Sequence, residues 1–115
     1  MIAHVVLFRP KATLSADDRQ SLVAALQHAV EGIPSITRAS IGKRLLLNRP
    51  GYETLMAEHY EYAAILEFAS ETDLRAYLDH PAHAELGVRL FKSADTVLAY
   101  DYACVGPEAL ASLLK

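Results

Sequence analysis

Within seven residues, Tyr77-Leu78-Asp79-His80-Pro81-Ala82-His83, the chain sets a phenol and two imidazoles around a proline. Imidazole is the side chain whose ordinary pKa lies nearest neutrality, so a histidine held beside a substrate can take up and return a proton at working pH. Pro81 disfavours helical geometry at His80. The helix is therefore expected to break between Tyr77 and His83, leaving both free to turn toward one place. A base at His83 suits removal of an acidic proton flanked by two carbonyls, a contribution of about 10²–10⁴ in rate. The Tyr77 hydroxyl is then a donor for the enolate oxygen that develops. His80 is read as structural, ending a helix where positive charge is favoured.

His4 and Asp101 are the strand residues that could meet this box from below. His4 alternates onto the same face as Ile2, Val6 and Phe8, and Asp101 onto the same face as Val97 and Ala99. A carboxylate on an apolar face needs a partner, which His4 or His83 would supply, and such a pair fixes the imidazole's orientation. Each residue also has a plainer role. His4 can be a core histidine satisfied by a carbonyl or by Asp101, and Tyr77 an aromatic packed on the sheet. Asp101 can be solvated at the sheet's rim.

The elements that must position these groups follow from periodicity and caps. Residues 2–9 form a short, β-branched strand bounded by Pro10, with apolar residues on both faces: Ile2, His4, Val6 and Phe8 on one, Ala3, Val5 and Leu7 on the other. Ser15 caps a helix with Asp17 and Asp18 in its first turn. Leu22, Leu26, Ala29, Val30 and Ile33 lie along one side, and Gly32 with Pro34 ends it. Residues 35–47 are expected to form a second strand with a bulge at Gly42, and 48–58 a loop containing a short helical turn. Residues 59–68 form a third strand. Ser70 with Asp73 opens a helix through Asp79, followed after the Pro81 kink by a second helical piece over 82–91. Residues 95–103 form the last strand, and the tail after Gly106-Pro107 has the composition of a short helix. Strand, helix, strand, strand, helix, strand is the ferredoxin-like order, an α+β fold with a four-stranded antiparallel sheet and helices on one face. The other apolar face needs a cover, and the economical cover is a second copy of the same sheet in a symmetric homodimer.

Composition narrows the remaining choices. The chain has 115 residues, 52% of them apolar and 22% charged, with a formal net charge of -3. That is one domain with a core of its own and no signature of disorder. The thin basic stretch Arg38, Lys43, Arg44 and Arg49 lacks interleaved aromatics, so no nucleic-acid partner is expected. Neither a signal peptide nor a membrane helix is expected, because the first apolar run, Val5 to Phe8, is too short. The one cysteine, Cys104, forms no internal disulfide and has no activating cation beside it, which suits a reducing cytoplasm. No His-Glu-x-x-His pairing and no glycine-rich loop opening a helix is present, so neither metal nor nucleotide cofactor is expected.

These residues resemble the stress-responsive α/β-barrel (Dabb) family. The resemblance lies in the opening Met-Ile-Ala-His-Val-Val-Leu-Phe-Arg-Pro-Lys, in Gly32-Ile33-Pro34-Ser35-Ile36, in residues 62–68, in Tyr100-Asp101-Tyr102, and above all in the box ending His-Pro-Ala-His. It spans residues 1–103 and leaves 104–115 as a tail, while the stretch 43–59 departs from the family's pattern. The resemblance implies a dimeric α+β barrel. A plant polyketide cyclase of the family uses a tyrosine and a histidine of the same box, roles that would fall here on Tyr77 and His83, with His4 matching a first-strand pocket histidine. Three kinds of function remain open. One is a cofactor-independent enzyme that enolises and closes a small, apolar, carbonyl-rich substrate. The second is a non-catalytic ligand-binding or stress protein whose cavity is collapsed or filled by Phe8, Tyr60, Tyr62 and Phe91. The third, by fold analogy alone, is a cofactorless monooxygenase.

Overall fold

Four strands, three helices and two short 3₁₀ segments make up the computed structural model, which describes residues 1–115. Strand β1 (Ile2–Pro10) is central, flanked by β3 (Tyr62–Phe68) and β4 (Ala94–Ala103), with β2 (Arg38–Lys43) at the edge beyond β3. The order β2-β3-β1-β4 is antiparallel throughout, which is the ferredoxin-like arrangement. Helix α1 (Ala16–Gly32) crosses between β1 and β2, while α2 (Glu71–Asp79) and α3 (Pro81–Ser93) connect β3 to β4.

The caps act as the sequence indicates. Ser15 Oγ accepts from the Asp18 N–H at 3.1 Å, and Ser70 Oγ from the Asp73 N–H at 3.2 Å. Each satisfies one of the helix's four orphan donors. The buried face of α1 carries Ala25 and Ala29, with Ile33 just beyond its end. Together with Leu66, Phe68, Leu74, Tyr77, Ala82 and Leu86 they form the core between helices and sheet.

Three expectations about the strands need correction. β2 covers six residues rather than 35–47. An edge strand has ladder partners on one side only, and β2 stops where β3 stops: Arg38 pairs with Glu67 and Lys43 with Tyr62. β3 itself begins at Tyr62 rather than residue 59. Gly42 is no bulge but an ordinary register partner of Ala63. The register shift lies instead between Arg9 and Pro10, where proline has no N–H to give the ladder.

Register also assigns the faces, because opposed residues of an antiparallel pair share one. Ile65, Val5 and Tyr100 form one row across the outer face, and Ala63, Leu7 and Leu98 the next. No α-helix covers them, though the segment around the 3₁₀ turn Glu53–Leu55 borders Leu7 and Ala63, and Tyr100 is 53% exposed. The molecule is a slab 19 Å thick with a radius of gyration of 15.9 Å, against about 13 Å for a globular chain of this length.

Candidate active site

His4 and Asp101 are direct register partners on β1 and β4, both turned to the helix-covered face. Their side chains meet, His4 Nδ1 lying 2.5 Å from Asp101 Oδ1. An ionised carboxylate only accepts, so Nδ1 carries the hydrogen and donates it, leaving Nε2 as the ring's acceptor. His4 is buried at 6% exposure, whereas the Asp101 side chain is 44% exposed. The carboxylate thus keeps its hydration at the rim while its partner imidazole reaches inward.

Tyr77 descends on this pair from α2. Its ring lies edge-on to His4, with centroids 5.6 Å apart, and also packs against Phe68 at 5.4 Å. His83 completes the group from the first turn of α3, its ring 4.7 Å from that of Tyr77 at an interplanar angle of 62°. Both histidine rings therefore pack edge-on against the same tyrosine ring.

The break at Pro81 makes this convergence possible, and His80 manages the break. Its N–H donates to the Tyr77 carbonyl at 3.2 Å, closing α2, and its Nδ1 accepts from the Ala82 N–H at 3.0 Å, capping α3. The structural assignment of His80 stands, but its physical reason is different. It serves as a lone-pair acceptor at a helix start rather than as a cation at a helix end.

A cavity of about 610 Å³ opens between sheet and helices, and His4, Tyr77, His83 and Asp101 all line it. Most of its other walls are apolar, from Val6 and Phe8 on the sheet to Leu22, Leu26, Leu86 and Leu90 on the helices. Phe8, Tyr62 and Phe91 line the space without filling it. Tyr60 lies elsewhere, under the Arg9 guanidinium with 5.6 Å to its ring centre. Two further polar residues reach the cavity: Arg19 from α1 and Tyr62 from β3. Tyr62 is read from the sequence as bulk that fills the cavity, and Arg19 is not singled out there. Nothing in the spacing separates a polar residue at a cavity's edge from one on an open surface.

The site's electrostatics separate a donor from an acceptor. Burial pushes the Tyr77 hydroxyl up to about 12, so it stays protonated at neutral pH and keeps its hydrogen to donate. No residue of the chain accepts from it, which leaves that donor for a ligand. Burial lowers the His83 pKa below its ordinary value, and positive charge on His4 lowers it further, against an opposing hydrogen bond to the Leu78 backbone. His83 is therefore a neutral acceptor near pH 7. A pair of titratable groups driven apart by their surroundings is the usual signature of divided acid and base roles. No group of three or more histidine, cysteine, aspartate or glutamate side chains is arranged to hold a metal ion, and no helix is long and apolar enough to cross a membrane.

Comparison with known proteins agrees with this architecture. The model of the stress-responsive A/B barrel domain (Dabb) matches residues 2–104. A dimeric ferredoxin-like protein of unknown function from Thermobifida fusca superposes with a TM-score of 0.70 at 26% identity, covering 90% of each chain. A Dabb-family protein with a ferredoxin-like fold from Mesorhizobium loti gives 0.68 at 21% identity, over 91% of this chain and 97% of that one. The hydroxynitrile lyase of Passiflora edulis gives 0.74 at 18% identity, over 90% and 93%. At these last two identities the likeness is one of fold. No curated protein matches the sequence.

Proposed function

Given that the chain belongs to the stress-responsive A/B barrel domain family, we propose that it is a homodimeric, cofactor-independent acid–base enzyme acting on a small, carbonyl-rich, largely apolar substrate. One observation carries the reading: a neutral imidazole acceptor and a protonated phenol, His83 and Tyr77, adjoin at the wall of one open apolar cavity. Such a cavity, with few convergent polar groups, is the usual form of a small-molecule site.

In the proposed reaction the His83 nitrogen takes the proton from a carbon between two carbonyls. The C–H electron pair becomes the enolate double bond, and the carbonyl's π pair moves to its oxygen. Tyr77 donates a hydrogen bond to that oxygen as charge develops, in a site with little water to compete. The enolate carbon then attacks a second carbonyl of the same molecule and closes a ring. Protonated His83 returns its proton to the new alkoxide, so no oxidant or co-reactant is consumed. His4, held by Asp101 through Nδ1, keeps its other nitrogen as an acceptor for an enol or hydroxyl hydrogen of the substrate.

The dimer would form through the outer face of the sheet, on the support of its uncovered apolar rows and of dimeric neighbours such as the Thermobifida protein. A cytoplasmic location belongs to the same reading and rests on the single free cysteine, Cys104. The test is turnover of a linear poly-β-keto thioester, followed by product absorbance, for the wild type and for His83→Ala. Loss of cyclisation in an intact dimer supports the reading. Equal rates for the two proteins would leave a ligand-binding protein in its place.

A further inference from the structure

Of the chain's seven arginines, six have a partner within it. Arg9, Arg38, Arg75 and Arg89 each meet a carboxylate, Arg44 donates to His59, and Arg49 lies over the ring of Tyr52. Arg19 joins no ion pair and lies over no ring. The sequence around it explains why. On a helix the neighbours of residue 19 lie three and four positions away. They are Ser15, Ala16, Leu22 and Val23, none of them acidic. Asp17 and Asp18 share its turn, but residues one and two apart do not face each other, and Asp18 meets Lys92 at 3.7 Å.

The position does not favour a cation on local grounds. Arg19 is the fourth residue of α1, close to the end where the helix dipole favours negative charge. It also stands in an apolar stripe, for Arg19, Leu22, Val23 and Leu26 follow one another at helical spacing and all line the cavity. The other ionisable groups of the lining do not answer it. Asp101 is committed to His4, and His83 is neutral near pH 7. Arg19 is therefore the one uncommitted charge bordering the cavity, at an exposed position where a bound anion keeps part of its hydration. The chain as a whole carries a formal charge of -3, so its overall field does not draw anions in. A preference for one has to come from this side chain.

We propose that the substrate is a monoanion, a β-dicarbonyl compound whose otherwise apolar frame bears a carboxylate, and that Arg19 is the residue that selects it. A planar guanidinium can hold a carboxylate through two parallel N–H···O bonds, a geometry an ammonium does not match. The inference rests on the reading of the cavity as the site of a carbonyl-rich substrate. It adds the charge of that substrate and a residue outside the His4–Tyr77–His83 cluster.

The probes are succinylacetone, a β-diketone whose chain ends in a carboxylate, and its methyl ester, which keeps the diketone and loses the charge. Dissociation constants are measured by titration calorimetry at pH 7 and low salt. The wild type should bind the acid about fivefold more tightly than the ester, as expected of one ion pair at an exposed site, and added salt should narrow the gap. Arg19→Gln should bind both compounds within about twofold of the wild type's constant for the ester. Arg19→Lys should keep part of the preference, and Arg19→Glu should reverse it. Because Arg19 is exposed and unpartnered, these replacements should leave the thermal midpoint nearly unchanged. Equal affinities for acid and ester in the wild type, a preference that survives Arg19→Gln, or no binding of either compound would each overturn the proposal. The first of these is what an arginine that only lays its stem along apolar surface would give. Enolisation of the ester, read by enol absorbance, follows the catalytic reading separately. An Arg19-dependent preference without His83-dependent enolisation would uphold charge selection and remove catalysis; His83-dependent enolisation with equal affinities would do the reverse.

Discussion

His4 and Asp101 touch because they are register partners on neighbouring strands: the ladder between β1 and β4 puts them opposite one another, and their side chains close to 2.5 Å. The contact fixes the proton on Nδ1 and holds the ring edge-on to Tyr77. Asp101→Asn preserves the shape but offers an amide that can donate to Nδ1 and favour the other tautomer. The variant should keep KM near wild type and lose kcat by roughly tenfold or more. A changed pH profile should accompany the loss, a readout that a merely structural residue would not move. Unchanged kcat in Asp101→Asn would remove the carboxylate from the site.

Tyr77 has two separable parts. Its ring belongs to the core, between Phe68 and both histidines, while its hydroxyl is unpartnered within the chain. Tyr77→Phe removes only the hydroxyl, so thermal stability should hold or rise slightly. Turnover should fall by about 10²–10³, as when one oxyanion donor is deleted. Tyr77→Ala, by contrast, should cost about 3–5 kcal/mol of stability, as large aromatic truncations in cores do. Wild-type turnover in Tyr77→Phe would show that the phenol only packs.

The pH dependence follows from the direction of the His83 shift. Its pKa in the folded chain lies below the ordinary 6.5 because burial and His4 disfavour the cation. A base must be neutral to act, so the acid limb of kcat/KM should be centred below pH 6.5. Stability behaves in the same sense. The folded state binds this proton less readily than the unfolded chain, so the contribution of neutral His83 is complete above pH 6.5 and declines as pH falls through the window below it. Urea midpoints measured from pH 7.5 down to 5 should fall, and His83→Gln should flatten that part of the curve. An acid limb of activity centred above 6.5 would contradict the desolvated site.

Local signals carried most of the fold. Ser15 and Ser70 announce their helices by side-chain capping, Pro81 separates α2 from α3, and the doubly apolar β1 reads directly from alternation. What failed was set by neighbours rather than by local composition. β2 looked longer than six residues because nothing in 35–47 says where its only partner strand ends. Gly42 looked like a bulge, since a glycine in a strand often is one, yet its register with Ala63 is regular. The polar cluster was legible as candidates because the box and two strand histidine and aspartate positions share an inward face. Its spacing was not, for the four residues come from β1, α2, α3 and β4. Arg19 was missed for a related reason: its part is defined by the space beside it, and a sequence does not display empty space.

The last prediction concerns the second face of the sheet. Val5 lies at its centre, with Ile65 opposite it on β3 and Tyr100 on β4. Ile65 is 45% exposed and Tyr100 53%, although both belong to an apolar row that runs across three strands. Joining two such faces about a two-fold axis would place Val5 near the centre of an interface of more than about 1,000 Å² in total, within the range of specific association. Sedimentation at micromolar concentration should give twice the mass of the chain. Val5→Asp would bury a carboxylate with no partner and should yield monomer or unfolded chain. Ile65→Ser is the milder arm, since it trims the face without burying charge, and should raise the dimer dissociation constant by about tenfold or more, as expected for about 1.5 kcal/mol of lost apolar burial. The inner cavity is reached from the opposite side of the sheet, so the Ile65→Ser protein should still bind a diketone. A wild-type protein sedimenting as a monomer at that concentration would sink the idea.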